Sequence, residues 1–266
     1  MLLSYFILIV ISTYCFIFNL SIICVCNISV KMSTSYFLLS KNGHIFDTSE
    51  QTIIEPPKGI TYILPKNLMT CYINDGLFES RMIEWCKQFC KEDGIFLDIG
   101  AHTGSYALSL SSHVNEVYAF EPQKMTYYAL CGGVALSNKN NISCYNFGLG
   151  SEEQVGVQTL SIVSNDGGGS TVQETDKDIL REEQIEIKTL DSLQLRNICF
   201  LKIDVEENEL NVLKGAKDTL IRSALPPIIF ECNEDEYQTE LFSFLKGLCY
   251  NITSINGMQN MFLAHI

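Results

Sequence analysis

Phe96-Leu-Asp-Ile-Gly-Ala-His-Thr-Gly104 is the stretch that decides the fold. An apolar run ends in Asp98, is followed by Gly100 and Gly104, and passes into a helical pattern. Glycines at such a turn let the backbone approach a ligand, and the following helix offers free N–H groups at its start. A second signal, Val117-Tyr-Ala-Phe-Glu121, reads as a strand ending in a carboxylate 17 residues beyond Gly104. An acid at that position can accept hydrogen bonds from both ribose hydroxyls of an adenosine-type ligand. Either half alone also fits a tight turn with an acid capping a helix.

The loop departs from the dinucleotide pattern. Gly-x-Gly-x-x-Gly seats a pyrophosphate on the helix N-terminus, whereas here Gly-x-x-x-Gly is preceded by an acid. Asp98 would repel a pyrophosphate but could face the ammonium of a methionine moiety, directly or through water. S-adenosylmethionine, with a ribose for Glu121 and a cationic amino-acid end, fits these residues better than NAD.

Working outward, short apolar runs alternate with helical patterns. The strands expected are Ile95–Ile99, Glu116–Phe120, Ile142–Phe147, Cys199–Ile203 and Pro227–Glu231. Helices are expected at Phe78–Cys90, Gly104–Ser112, Gln123–Asn138, Glu207–Ser223 and Tyr237–Leu248. Such alternation predicts an α/β fold with a mainly parallel sheet and helices on both faces. Ile252–Ile255 and Met261–Ala264 would close the sheet as an edge hairpin around Asn256-Gly257. Tyr36–Leu39 and Ile60–Leu64 are strand candidates in the lead-in, and Asn165–Ser170 reads as a flexible loop.

Met1 to Val30 contains no Asp, Glu, Lys, Arg or His. A helix needs about 20 apolar residues to cross the bilayer core. The missing basic n-region and the length of the run favour a retained single-pass anchor over a cleaved signal. Lys31 and Lys41 follow the span, which leans toward a cytoplasmic C-terminal domain. A start at Met32 is the alternative. The chain therefore divides into an anchor over 1–30, a lead-in over 31–92 and one α/β domain over 93–266.

The net charge of −13 argues against nucleic acid as a partner, because phosphate backbones recruit Lys and Arg surfaces. The 11 cysteines form no CxxC pair, so no zinc site is expected. Cys144, Cys199 and Cys232 sit in strand-like runs, where cysteine acts as a small hydrophobe.

The motif Asp98-Ile-Gly-Ala-His-Thr-Gly104 resembles motif I of class I S-adenosylmethionine-dependent methyltransferases. Phe120-Glu121-Pro122 resembles the end of their second strand. With Thr189-Leu-Asp-Ser-Leu193, Leu201-Lys-Ile-Asp-Val-Glu206, Glu209-Leu-Asn-Val-Leu-Lys-Gly-Ala216 and the Gly-rich loop at 167–170, the order is similar to the FkbM-type family. The resemblance covers about residues 77–235. It implies a Rossmann-like seven-stranded sheet and methyl transfer from S-adenosylmethionine to a hydroxyl of a sugar, glycan or small metabolite. Carried over by position, Asp98, Gly100, His102, Gly104 and Glu121 would bind the cofactor. Gly148 and Leu149 would lie near the adenine, and Asp204 and Glu206 would face the sulfonium and the acceptor. Family members often have Asn in place of His102 and Gly in place of Glu207. The Glu207 anion brings the acceptor site into question, and Gly132-Gly133 is unexpected inside a helix, at about 1 kcal/mol each relative to Ala.

A neutral hydroxyl attacks poorly, so a base is needed. Asp204, Glu206 and Glu231 are the candidates at the carboxyl edge of the sheet, with Asp204 and Glu206 first. His102 reads as a polar loop residue. Asp204 and Glu206 could instead hold a divalent cation, although no further ligand is evident. A Rossmann-type oxidoreductase and an inactive cofactor-binding module are the competing functions.

Overall fold

The computed structural model describes residues 36–40, 59–65, 76–164, 166–233 and 236–266. The expected anchor over 1–30 lies outside the described residues. Among those described, no helix is long and apolar enough to cross a membrane.

Two lead-in strands, β1 (Tyr36–Ser40) and β2 (Thr61–Pro65), pair antiparallel, and α1 spans Ser80–Cys86. The main body follows as β3 (Ile95–Ile99), α2 (Ser105–Leu110), β4 (Glu116–Phe120), α3 (Lys124–Leu136) and β5 (Ile142–Tyr145). A polar insertion contributes β6 (Gly148–Leu149), β7 (Gly156–Ile162) and β8 (Arg181–Lys188). The chain then forms β9 (Ile198–Ile203), α4 (Glu209–Lys214), α5 (Lys217–Arg222), β10 (Ile228–Glu231), α6 (Glu236–Gly247), β11 (Asn251–Ser254) and β12 (Met261–His265).

Seven strands form one sheet in the order β11-β12-β10-β9-β3-β4-β5. The pairings among β10, β9, β3, β4 and β5 are parallel, and β12 runs antiparallel to both neighbours. The C-terminal hairpin is thus more than an edge cover, because its second strand inserts between β10 and β11. Strand order reverses between β3 and β9, and such a switch point opens a crevice outside the carboxyl ends of the strands.

Alternate residues of each strand serve opposite faces. Phe96, Val117, Phe200 and Ile229 pack in one cluster with Leu108, Leu110 and Leu130 of α2 and α3. Leu97, Leu201, Ile203, Ile228 and Phe230 pack in the other with Leu213, Leu220, Leu241 and Leu245 of α4, α5 and α6. Fully burying one such side chain contributes about 1.5–3 kcal/mol. Burial on both faces explains why the central strands read as near-continuous apolar runs.

Three local departures from the expected elements have packing causes. Gly132-Gly133 sits where α3 crosses β2. A Cβ on Gly132 would lie 2.5 Å from Ile63 Cδ1, and one on Gly133 would lie 3.2 Å from the Thr61 carbonyl oxygen. The helix beginning near Glu207 is two helices, interrupted at Gly215-Ala216, where a Cβ on Gly215 would fall 2.0 Å from the Gly150 carbonyl oxygen. The stretch from Gly148 to Lys188 contributes a separate three-stranded sheet, β6-β8-β7. Only alternate residues of its hairpin face inward, with Leu160, Ile162, Ile185 and Ile187 in a small core of their own.

Candidate active site

The turn after β3 is built on left-handed backbone at Gly100 (φ 74°), His102 (φ 51°) and Gly104 (φ 88°). His is among the few non-glycine residues enriched in this region, so the position tolerates it. The Gly100 and Ala101 N–H groups both donate to the Phe120 carbonyl, at 3.1 and 2.9 Å, and so fasten the turn to β4. A Cβ on Gly100 would stand 1.8 Å from the Asp204 carbonyl oxygen, so the end of β9 excludes any side chain there.

That turn aims a backbone donor at the end of β4. His102 N–H donates to Glu121 Oε2 at 2.9 Å, and Gln123 N–H donates to Glu121 Oε1 at 2.8 Å. Each carboxylate oxygen keeps capacity for a further donor. Burial raises the Glu121 pKa to about 7, against the pull of these two N–H groups.

Gly100, His102, Glu121, Gly148, Leu149, Asp204 and Glu206 line one cleft of about 520 Å³ at the carboxyl edge of the sheet. One part of its wall is apolar, formed by Leu149, Leu160, Ile185 and Ile187, so the insertion's sheet supplies most of it. Another part carries Glu79, Asp204, Glu206 and Glu231 beside Phe78, Met258 and Met261.

Asp98 and Gly104 stand behind this wall. The Asp98 carboxylate is 0% exposed, and its Oδ2 accepts the Ala107 N–H at 2.9 Å, which ties α2 to β3. Its Oδ1 has no hydrogen bond and lies 3.9 Å from Lys202 Nζ. Asp98 therefore serves the helix and the lysine, and it is not among the residues that line the cleft. Burial raises its pKa to about 6, with Lys202 opposing. Gly104 caps α2, and a Cβ there would meet Leu130 Cδ1 at 2.5 Å.

The two expected catalytic carboxylates are placed differently. Asp204 has a side chain 34% exposed, with Oδ2 held 3.1 Å from Lys202 Nζ. Glu206 is engaged elsewhere: its Oε1 accepts the Gly169 N–H at 2.8 Å, its Oε2 lies 3.7 Å from Lys177 Nζ, and its carbonyl accepts the Thr171 hydroxyl at 2.7 Å. Burial and the Asp204 charge raise its pKa. Glu207 is exposed and does not line the cleft, so its anion does not intrude. Its φ of 70° is left-handed backbone, which costs an L-residue about 1–2 kcal/mol.

Glu231 shares a sheet face with Lys202 and Asp204, one strand away from them. Among the described residues its carboxylate has no hydrogen-bond or ion-pair partner. Burial, together with the negative charges of Asp204, Glu206 and Glu79, raises its pKa to about 7.

The loop Asp166–Ser170 lies across the cleft as a strap. The His102 Nε2–H group donates to the Asp166 carbonyl at 2.6 Å, and burial lowers the His102 pKa so that the ring is neutral. Ser170 Oγ reaches Gln123 Oε1 at 3.3 Å. With the Gly169–Glu206 bond, the strap is fastened on both sides. Among the described residues, no three His, Cys, Asp or Glu side chains converge as metal ligands.

Sequence reasoning assigned no role to Lys202, Glu79 or Phe78, nor to the strap. For Lys202 the signal was present, as a lone cation inside an apolar strand. Glu79 enters the site through tertiary packing, with Tyr106 donating to its Oε2 at 2.8 Å.

Residues 98–252, more than half of the chain, match the Methyltransferase FkbM domain. Methyltransferase 1 of Beauveria bassiana (strain ARSEF 2860) is 24% identical over 151 residues, covering 48% of this chain and 60% of that protein. The chain thus spans less than two thirds of the length of that curated relative. The FkbM methyltransferase of Methylobacillus flagellatus KT has a similar backbone, with a TM-score of 0.47 and 16% identity over 66% of this chain and 44% of that one. A Streptococcus mutans methyltransferase solved with SAH gives a TM-score of 0.45 and 14% identity over 69% of this chain and 93% of that one. The extent of the domain match decides the assignment: this chain belongs to the FkbM methyltransferase family.

Proposed function

We propose that this protein transfers a methyl group from S-adenosylmethionine to a hydroxyl of an uncharged acceptor, a sugar, glycan or small metabolite. The observation that carries the reading is Glu121. Its two oxygens are fixed by backbone N–H groups and open onto a cleft with an apolar wall, which suits a ribose diol joined to an adenine. Gly100, whose missing side chain lets the turn pack against the end of β9, also lines the cleft, which supports a place for the amino-acid end beside it.

When bound, S-adenosylmethionine supplies a methyl carbon attached to a cationic sulfur. The acceptor oxygen bonds to that carbon as the carbon–sulfur bond breaks, and the hydroxyl proton must leave. Asp204, held by Lys202, is placed to orient the hydroxyl. Glu231, unpartnered among the described residues and with a pKa of about 7, is the better placed to take the proton, since a base works best near the operating pH. Glu206 fastens the strap, which supports exclusion of water from the cleft. Four carboxylates line the acceptor part, so an acceptor bearing phosphate or carboxylate would be repelled. We also place the enzyme at a membrane through residues 1–30, on their composition alone.

Titration calorimetry with S-adenosylhomocysteine should show one site per chain. Incubation with methyl-labelled S-adenosylmethionine and a panel of glycans, lipids and alcohols should label an uncharged hydroxyl compound. Asp204→Asn and Glu231→Gln should retain S-adenosylhomocysteine binding and lose transfer. Binding of NADH without S-adenosylhomocysteine would restore the oxidoreductase alternative. Cofactor binding with no turnover on any acceptor would favour the inactive module.

A further inference from the structure

Lysine is the residue of β9 that the fold does not require. All six positions of this strand are buried, and the other five are apolar. A buried ammonium is costly unless well paired, and the Lys202 side chain is only 5% exposed. Its Nζ donates to the Gly100 carbonyl at 2.8 Å, lies 3.1 Å from Asp204 Oδ2, and lies 3.9 Å from Asp98 Oδ1. The first partner belongs to the turn beside Glu121, and the second to the acceptor side of the cleft. Lys202 itself lines the cleft, whereas Asp98 does not.

We propose that Lys202 is a positioning residue, whose ammonium clamps the Gly100 turn to Asp204 and sets the charge beneath the methionine moiety of the bound cofactor, its sulfur included. The proposal rests on the S-adenosylmethionine reading above. The clamp acts across the switch point. Asp204 N–H already donates to the Ile99 carbonyl at 3.1 Å, and Lys202 adds the side-chain bond that fixes the turn one residue further on. It also lets two carboxylates share one buried face. Without it, the floor of the cleft carries uncompensated negative charge, which favours a cationic sulfonium over a neutral thioether.

Discrimination between S-adenosylmethionine and S-adenosylhomocysteine, which differ in that charge, is therefore the test. Calorimetry of the whole chain with both ligands gives the reference ratio of affinities. If the wild type binds neither, the cofactor reading falls and this proposal with it. Lys202→Met is expected to weaken S-adenosylhomocysteine at least tenfold and S-adenosylmethionine less, moving the ratio at least threefold toward the latter. Lys202→Arg keeps the charge and is expected to hold the ratio within twofold. An equal loss of both ligands in Lys202→Met marks a merely structural lysine and overturns the proposal. Should Lys202→Met not fold, Asp204→Asn decides. It removes the opposite charge and must move the ratio at least threefold toward S-adenosylhomocysteine, and an unmoved ratio overturns the proposal.

Discussion

Replacing Glu121 by alanine removes the group on which the cofactor assignment depends. In the folded chain its two oxygens each accept one backbone N–H, at 2.9 and 2.8 Å, and each can accept one ribose hydroxyl. Hydrogen bonds to a charged group contribute about 1.5–3 kcal/mol each. Two of them amount to about 3–6 kcal/mol, reduced where water enters the truncated site. At about 1.4 kcal/mol per tenfold, the lower figure predicts a loss of S-adenosylhomocysteine affinity of about 100-fold or more. The same carboxylate has a pKa raised to about 7 by burial, and the ribose needs its ionised form as an acceptor. Wild-type affinity should therefore fall as pH drops from 8 to 6, approaching tenfold per unit below 7, and the Glu121→Ala profile should be flatter. Calorimetry at both pH values provides the measurement. Thermal unfolding is run beside it, because the variant also orphans the His102 and Gln123 N–H groups. A folded Glu121→Ala protein that binds within threefold of wild type at pH 8 would refute the reasoning.

Other consequences are open to direct test. Gly100→Ala places a Cβ 1.8 Å from the Asp204 carbonyl oxygen at a φ of 74°. It should cost at least about 2 kcal/mol and lower Tm by about 4 °C or more, and an unchanged Tm would contradict the close approach. Asp98, Glu121 and Glu231 have folded pKa values raised to about 6, 7 and 7. The folded state thus holds more protons than the unfolded one between about pH 4 and 7, so stability falls as pH rises through that window. Neutral, buried His102 works in the opposite direction below about pH 6.5. The Glu206 pKa is also raised, whereas those of His113 and Glu153 are lowered, so these two join His102 on the opposing side. With four raised carboxylates against these three, the ligand-free Tm should be higher near pH 5.5 than at pH 8, and a rise in Tm with pH would count against the buried carboxylates. Glu206→Ala removes the acceptor of the Gly169 N–H and the partner of Lys177. Amide exchange at Gly169 should accelerate about tenfold or more, and unaltered exchange would mean that Glu206 does not fasten the strap.

How far the chain could be read without its fold depends on how local each signal is. The Asp98–Gly104 turn was legible because glycine spacing and the apolar run before it act within a few residues. Glu121 was legible because its strand ends on it. The β7–β8 hairpin was not, because β7 is mostly polar, β8 is charged on both faces, and each has only two apolar residues in the small core. A search for apolar runs passes over such a pattern. Gly132-Gly133 looked anomalous along the helix and becomes ordinary once β2 is packed against it. Glu207 looked like an anion in the active site and proves to be an exposed residue on left-handed backbone.

By itself, the sequence determined the alternation of strands and helices, the turn that admits a ligand, and the acid that would hold a ribose. Those are properties of neighbouring residues, set by backbone freedom and by hydrophobic period. Only the tertiary structure decided which carboxylates face the cleft. Asp98 turned inward because a helix N–H and a buried lysine needed its charge. Glu206 was drawn to the strap by a backbone donor far along the chain. Asp204 and Glu231 remained at the opening, brought together by parallel pairing of β9 and β10. Long-range pairing and burial made those assignments, and neither is written in the spacing of the residues.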